Sequence, residues 1–134
     1  MIINNNVKTF LAIATLFMVT AIALGAFGAH ALKNYLTPEQ LISFETGVKY
    51  QMYHALFLLF LGLSAVFLTD KTKKLMYWLV VLGVAFFSGS IYLLTTKNVT
   101  GIDFKFLGPI TPIGGTLLIV AWGILFVKVL NKKS

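Results

Sequence analysis

Charged residues divide this chain into four long segments that contain no Asp, Glu, Lys or Arg. The segments lie between Lys8 and Lys33, between Lys49 and Asp70, between Lys74 and Lys97, and between Lys105 and Lys128. Each is long enough for a helix, rising about 1.5 Å per residue, to cross a hydrocarbon core of about 30 Å. Their apolar residues are continuous rather than alternating, which favours helices over the strands of a barrel.

The pattern therefore predicts an all-α, polytopic membrane protein with four transmembrane helices in one domain, residues 1–134. The four helices are expected at about residues 10–32, 50–69, 75–96 and 110–130. The Ala-x-Ala pattern at Ala29–Ala31 also fits a signal-peptide cleavage site, but the apolar run before it exceeds the usual length of about 7–15 residues. We therefore interpret the first segment as a membrane helix.

The composition also places the chain in a membrane rather than in water. Hydrophobic residues make up 58% of the 134 residues, charged residues make up 11%, and the mean hydropathy is +0.89. A soluble domain needs a more charged surface, since charged residues average about 25% in such proteins. The chain has no cysteine, which excludes a disulfide framework, a thiolate nucleophile and a thiolate metal site.

The lysines predict the orientation in the membrane. With four crossings, seven lysines share the side of both termini and four lie on the other side. The seven are Lys8, Lys71, Lys73, Lys74, Lys128, Lys132 and Lys133, and the four are Lys33, Lys49, Lys97 and Lys105. Because cytoplasmic loops carry an excess of basic residues, we expect a plasma or inner membrane protein with both termini in the cytoplasm. The lysines are too dispersed for a nucleic-acid interface.

A helix start precedes the second segment. Thr37, Pro38 and Gln40 combine an N-cap, a first-turn proline and a capping-box glutamine. Apolar residues between positions 41 and 48 then recur at helical spacing, among Ser43, Glu45 and Lys49 on the other faces. We expect an amphipathic helical segment there, preceding helix two along the membrane interface.

Small residues predict where helices approach closely. In helix one, Ala21, Gly25 and Gly28 repeat at spacings of four and three, and Gly114 and Gly115 lie in the first turn of helix four. Small side chains at such spacings are typical of packed membrane helices. A second stripe, formed by Ala23, Ala26 and His30, predicts that helix one lies at the centre of the bundle.

Polar residues inside the segments concentrate in the half of the protein opposite the termini, and polar groups at membrane depth need partners or mark function. We expect them to form one cluster. Its members are His30, Gln51, Tyr53, His54, Ser88 and Tyr92.

Three interpretations of this cluster remain open. In the first, the polar residues hold the helices in register, and the protein is a structural or accessory subunit with a membrane-protein partner or a second copy of itself. In the second, His30, Tyr53, His54 and Tyr92 line a cleft for a lipid headgroup or a quinone-like molecule. In the third, His30 and His54 are paired ligands of haem or a metal.

Catalysis and a resident cofactor are not expected. All four acidic residues, Glu39, Glu45, Asp70 and Asp103, lie outside the predicted membrane helices. No catalytic triad with a buried acid, no paired carboxylates and no phosphate-binding loop can therefore be assigned. The expected partners are membrane lipids, and nucleic acid is not expected.

Four strings of the sequence resemble the domain-of-unknown-function 423 family. They are GAFGAHAL at Gly25–Leu32, FETGVKYQMYHAL at Phe44–Leu56, FSGSIYLL at Phe87–Leu94 and ITPIGG at Ile110–Gly115. The family includes YgdD- and YwdK-like bacterial proteins, and transmembrane protein 256 of animals is related to it. The resemblance implies a compact four-helix membrane protein without an established reaction, ligand or catalytic residue.

Overall fold

A computed structural model describes residues 4–63 and 65–132, and the described parts of the chain are almost entirely helical. Ser64, within the second predicted span, and Lys133, one of the lysines used for orientation, lie outside the described residues. The helices are α1 (Asn5–His30), α2 (Pro38–Leu63), α3 (Asp70–Val84), α4 (Ser90–Thr95), α5 (Lys97–Thr100) and α6 (Ile110–Leu130). Short 3-10 turns occur at Leu32–Asn34 and Lys105–Leu107.

A π-helical turn, Ala85–Gly89, joins α3 to α4 without a break in the helix. The three elements together form a continuous helix, Asp70–Thr95, which we call the third rod.

Side-chain caps fix where the helices begin. The predicted capping box is confirmed: Thr37 N donates to Gln40 Oε1 at 3.0 Å, and Gln40 N donates to Thr37 Oγ1 at 3.2 Å. Asn4 caps α1 by accepting from Val7 N at 2.8 Å. Each cap satisfies a backbone N–H that has no partner inside its own helix.

In the described parts of the chain, three helices are long and apolar enough to cross a membrane. They are Asn5–His30, Asp70–Thr95 and Lys105–Leu130. The all-helical membrane protein expected from the sequence is therefore confirmed at this level. α2 is not among the three, although it has 26 residues, because its middle contains the polar residues Lys49, Gln51 and His54.

Helix two differs from the predicted segment 50–69 at its C-terminal end. The helix begins at Pro38, where the capping signal predicts a helix start, and the amphipathic segment is its first part; it ends at Leu63. Beyond that end, Ala65 and Leu68 are buried in a turn closed by Leu68 N donating to Ala65 O. The absence of charged residues up to Asp70 cannot show whether buried residues such as these belong to a turn or to a helix.

The helices pack in the order α1, α2, third rod, α6. α1 packs mainly on α2, α2 packs also on the third rod, and α6 packs on the third rod. The expectation that helix one is central is wrong, because α1 buries four residues while α2 buries nine. The second stripe of small residues is exposed along its whole length, at Ala23, Ala26 and His30. Lipid can cover the two alanines as another helix would.

Candidate functional site

Gln51 connects three helices through its amide group. Its Nε2 donates to Phe17 O at 2.8 Å and to Thr20 Oγ1 at 2.7 Å, both in α1. Its Oε1 accepts from Tyr92 OH of α4 at 2.7 Å. We call Thr20, Gln51 and Tyr92 the polar junction. Gln51 is buried, so these bonds replace the water that its amide loses.

The π-helical turn adds a second polar connection. Ser88, which is buried in this turn, donates to Gly47 O of α2 at 2.7 Å. Two residues further on, the hydroxyl of Ser90 lies 2.6 Å from the hydroxyl of Thr111 and links α4 to α6. A π-helical turn commonly marks a site where a helix is adjusted for a specific contact.

His54 uses both nitrogens of its ring inside the protein. Trp122 Nε1–H of α6 donates to His54 Nε2 at 3.0 Å, and His54 Nδ1 lies 2.6 Å from Tyr50 O. An indole N–H can only donate, so Nε2 is the unprotonated nitrogen and Nδ1–H donates to the carbonyl. The neutral ring therefore links α2 to α6.

The structure does not bring the two histidines together. His30 is exposed at the end of α1. Gly28, two residues before it, packs against Phe44, and Phe44 precedes His54 by ten residues, or about 15 Å along the helix. The two rings are therefore not placed as the paired ligands that the third interpretation requires. Among residues 4–63 and 65–132, no three His, Asp or Glu side chains gather as a metal site would require.

The other predicted members fall in different places. Gln51 and Tyr92 are bonded to each other, and Ser88 is one helical turn before Tyr92. Tyr53 is exposed, and together with His54 it lines a second surface, away from Gln51 and Tyr92. The expected single cluster is thus divided: Gln51 and Tyr92 belong to the polar junction, Tyr53 and His54 to this second surface, and Ser88 and His30 to neither.

That second surface is a groove between α2 and α6 with a volume of about 1060 Å³. Aromatic side chains dominate its lining. They include Tyr50, Tyr53, His54, Phe57, Phe87 and Trp122. We call it the α2–α6 groove. Its volume is at the upper end of the range of about 300–1,000 Å³ for small-molecule sites.

The rings within the groove are packed against one another. Tyr50 and Phe87 have centroids 4.8 Å apart, and Phe57 meets Trp122 edge to face at 4.6 Å. Four of these lining residues were not among the predicted site residues: Tyr50, Phe57, Phe87 and Trp122. The spacing of Tyr50, His54 and Phe57 on one helical stripe was a signal, whereas nothing in the sequence indicated that Trp122 meets them.

The small residues predicted to pack in α1 lie against α2. Ala21 is completely buried. A Cβ added to Gly25 would lie 3.3 Å from Val48 Cγ1, and one added to Gly28 would lie 2.9 Å from Phe44 Cε1. These residues allow α1 to approach α2 closely.

The two glycines at the start of α6 differ in their surroundings. A Cβ on Gly114 would overlap the backbone nitrogen of Phe87 and lie 2.8 Å from Gly83 O, so α6 touches the backbone of the third rod there. A Cβ on Gly115 would lie 3.5 Å from the Phe87 ring, which is an ordinary contact.

Helical content and three apolar helices of membrane-spanning length define the class as an integral membrane protein. Residues 24–115 match the model of the family described as "Protein of unknown function (DUF423)". The chain therefore belongs to this family, as the four sequence strings indicated.

Curated relatives carry the name UPF0382 membrane protein. The chain is 40% identical to SSP2132 of Staphylococcus saprophyticus over 86% of this chain and 91% of the relative. It is 38% identical to YwdK of Bacillus subtilis, over 86% of this chain and 90% of that one. A relative from Haemophilus influenzae is 37% identical over 89% of each chain. No solved structure matches the chain.

Proposed function

We propose that this protein is a structural or accessory subunit of the plasma or inner membrane, with four crossings and both termini in the cytoplasm. One observation carries the proposed role. In the parts of the chain that the structure describes, every buried side-chain nitrogen or oxygen has a hydrogen-bond partner within the protein. The side chains of Gln51, Ser88 and His54 thus connect helices to one another. Among the described residues, no buried side-chain nitrogen or oxygen is left unpaired for a substrate to bind.

The packing of α1 supports α2 as the fourth crossing. Gly28 near the end of α1 contacts Phe44 near the start of α2, and Leu11 contacts Gly62 at the other end. The two helices are therefore antiparallel and cover the same height. A helix of 26 residues is about 39 Å long, so if α1 crosses the bilayer, α2 crosses beside it.

Single cysteines test the number of crossings, because the chain contains none. With four crossings, Asn34→Cys reacts with an impermeant maleimide on intact cells, whereas Asn131→Cys reacts only after permeabilisation. Both positions are exposed. With three crossings the two positions would share a side, so equal labelling of both variants would contradict the proposal.

The proposed role is tested by extracting the tagged full-length chain in mild detergent and analysing it by native mass spectrometry. We expect a membrane-protein partner at constant stoichiometry with wild type and with His30→Ala and Trp122→Phe. A small molecule that is bound to wild type and lost from Trp122→Phe, with no protein partner in either sample, would contradict the structural role.

The α2–α6 groove favours a second candidate function, a binding module for a lipid or a quinone-like molecule. Its volume of about 1060 Å³ and aromatic lining suit an amphiphile. Gly115→Leu narrows the groove, since Gly115 lines it beside Phe87. Gly123→Leu on the same helix is the matched control, because no atom of the described residues lies within 4 Å of its added Cβ.

Native mass spectrometry of the two variants separates the functions. A binding module loses its ligand in Gly115→Leu and retains it in Gly123→Leu. Equal ligand content in both variants would exclude the groove as the binding site.

A further inference from the structure

Folding brings lysines from three separate parts of the sequence to one end of the protein. These are the start of α1, the start of α3 and the end of α6. The lysines among the described residues are Lys8, Lys71, Lys73, Lys74, Lys128 and Lys132, and Asp70 is the single acidic residue beside them. We call this end the basic end.

Contacts between the helices hold the three parts together. The Phe10 and Tyr77 rings stack with centroids 4.8 Å apart, which places the start of α1 beside the start of α3. Thr69 and Thr72 at the start of α3 share a cleft of about 210 Å³ with Lys128 and Lys132 of the α6 end. The sequence predicts that these lysines share one side of the membrane, and the packed helices place six of them at one end of the protein.

The opposite end has a different charge balance. The lysines of that half of the protein are Lys33, Lys97 and Lys105 and, nearer the middle of α2, Lys49; its acidic residues are Glu39, Glu45 and Asp103. Four lysines against three acidic residues leave a charge of +1, whereas six against one leave +5 at the basic end. The protein is therefore electrically asymmetric along its helix axes.

We propose that the basic end binds the phosphate headgroups of anionic phospholipids. The lysines lie at the ends of membrane-length helices, at the level where headgroups are found, and ammonium groups donate to phosphate oxygens. Clusters of about 4–8 basic residues beside a membrane helix attract anionic lipid, by roughly fivefold in affinity for each lysine. Only two of the six lysines line the small cleft. The set therefore fits several headgroups around the end better than one free ion.

Exposed lysines at the two ends provide matched triple variants. Lys71→Gln, Lys74→Gln and Lys132→Gln together remove three charges from the basic end. Lys33→Gln, Lys97→Gln and Lys105→Gln together remove three from the opposite end, and all six side chains are exposed. The two variants have the same net charge, so a general effect of charge cancels in the comparison.

The experiment titrates the purified full-length chain in mild detergent with phosphatidylglycerol or with phosphatidylcholine of the same acyl chains, and measures the shift of the thermal unfolding midpoint. For wild type, we expect half-maximal stabilisation at a concentration of phosphatidylglycerol at least tenfold lower than that of phosphatidylcholine. For the basic-end variant, the half-maximal concentration of phosphatidylglycerol should rise at least tenfold. For the opposite-end variant, it should stay within about twofold of the wild-type value. High salt should reduce the preference of wild type, because the lysines are exposed to screening.

Three results would each overturn the proposal. The first is equal stabilisation of wild type by the two lipids, an outcome that requires no variant to fold. The second is an equal loss in both triple variants. The third is stabilisation by inorganic phosphate equal to that by phosphatidylglycerol, which would assign the basic end to a free anion instead of a lipid. None of these results bears on the structural role or the groove.

Discussion

Replacing Gly114 by alanine probes the closest approach of α6 to the third rod. The added Cβ would overlap the backbone nitrogen of Phe87 and lie 2.8 Å from both Gly83 O and Phe86 C. Carbon atoms in good contact are about 3.5–4.0 Å from their neighbours, so the two helices must separate by about 1 Å. Overpacking costs about 1–3 kcal/mol. Because the obstructing atoms belong to the backbone, we expect a loss of about 3 kcal/mol in the free energy of unfolding.

The assay is reversible unfolding in mixed micelles titrated with a denaturing detergent. Gly115→Ala is the control, since the nearest described atom to its Cβ would be in the Phe87 ring, at 3.5 Å. Both substitutions gain the same helix propensity of alanine over glycine, so their difference isolates the contact. We expect the control within about 1 kcal/mol of wild type. A free energy of unfolding for Gly114→Ala within about 0.5 kcal/mol of wild type would refute this account of the contact.

Three further substitutions test other local features by the same unfolding assay. Trp122→Phe removes the donor to His54 Nε2 and should cost about 1 kcal/mol, so an unchanged stability would show that this bond contributes nothing. Gly101 has φ of 74°, which alanine adopts poorly, so Gly101→Ala should cost about 1 kcal/mol; a stabilising effect would contradict this. Thr37→Val removes the hydroxyl that accepts from Gln40 N at the start of α2 and should lower the free energy of unfolding by about 1 kcal/mol. An unchanged free energy would mean that Pro38 and Gln40 are sufficient to start the helix.

Local signals in the sequence predicted much of the fold. The capping box at Thr37 and Gln40 requires only residues three apart, and the structure contains both of its hydrogen bonds. α6 begins at Ile110, and the fourth helix is expected from about residue 110. Long apolar runs predicted helices because a membrane leaves few alternatives for a backbone.

Contacts between helices were less predictable, because they depend on which faces meet. The stripe of Ala23 and Ala26 resembles a packing face, but both residues are exposed, and lipid accepts such a face as readily as another helix does. His30 ends α1, whereas α2 begins at Pro38, so His54 lies well inside α2 and the two rings are at different depths. Trp122 could be paired with His54 only from the three-dimensional arrangement.

The central claim is that polar residues within the membrane helices bind one another rather than a substrate. A double-mutant cycle of Gln51→Leu and Tyr92→Phe tests it most directly, because Tyr92 OH donates to Gln51 Oε1 at 2.7 Å. Gln51→Leu leaves that hydroxyl without its acceptor, whereas the double variant removes both groups. We predict a coupling of about 1 kcal/mol in the free energy of unfolding, within the range of interhelical bonds in membranes. Additive effects, with a coupling below about 0.3 kcal/mol, would contradict the claim.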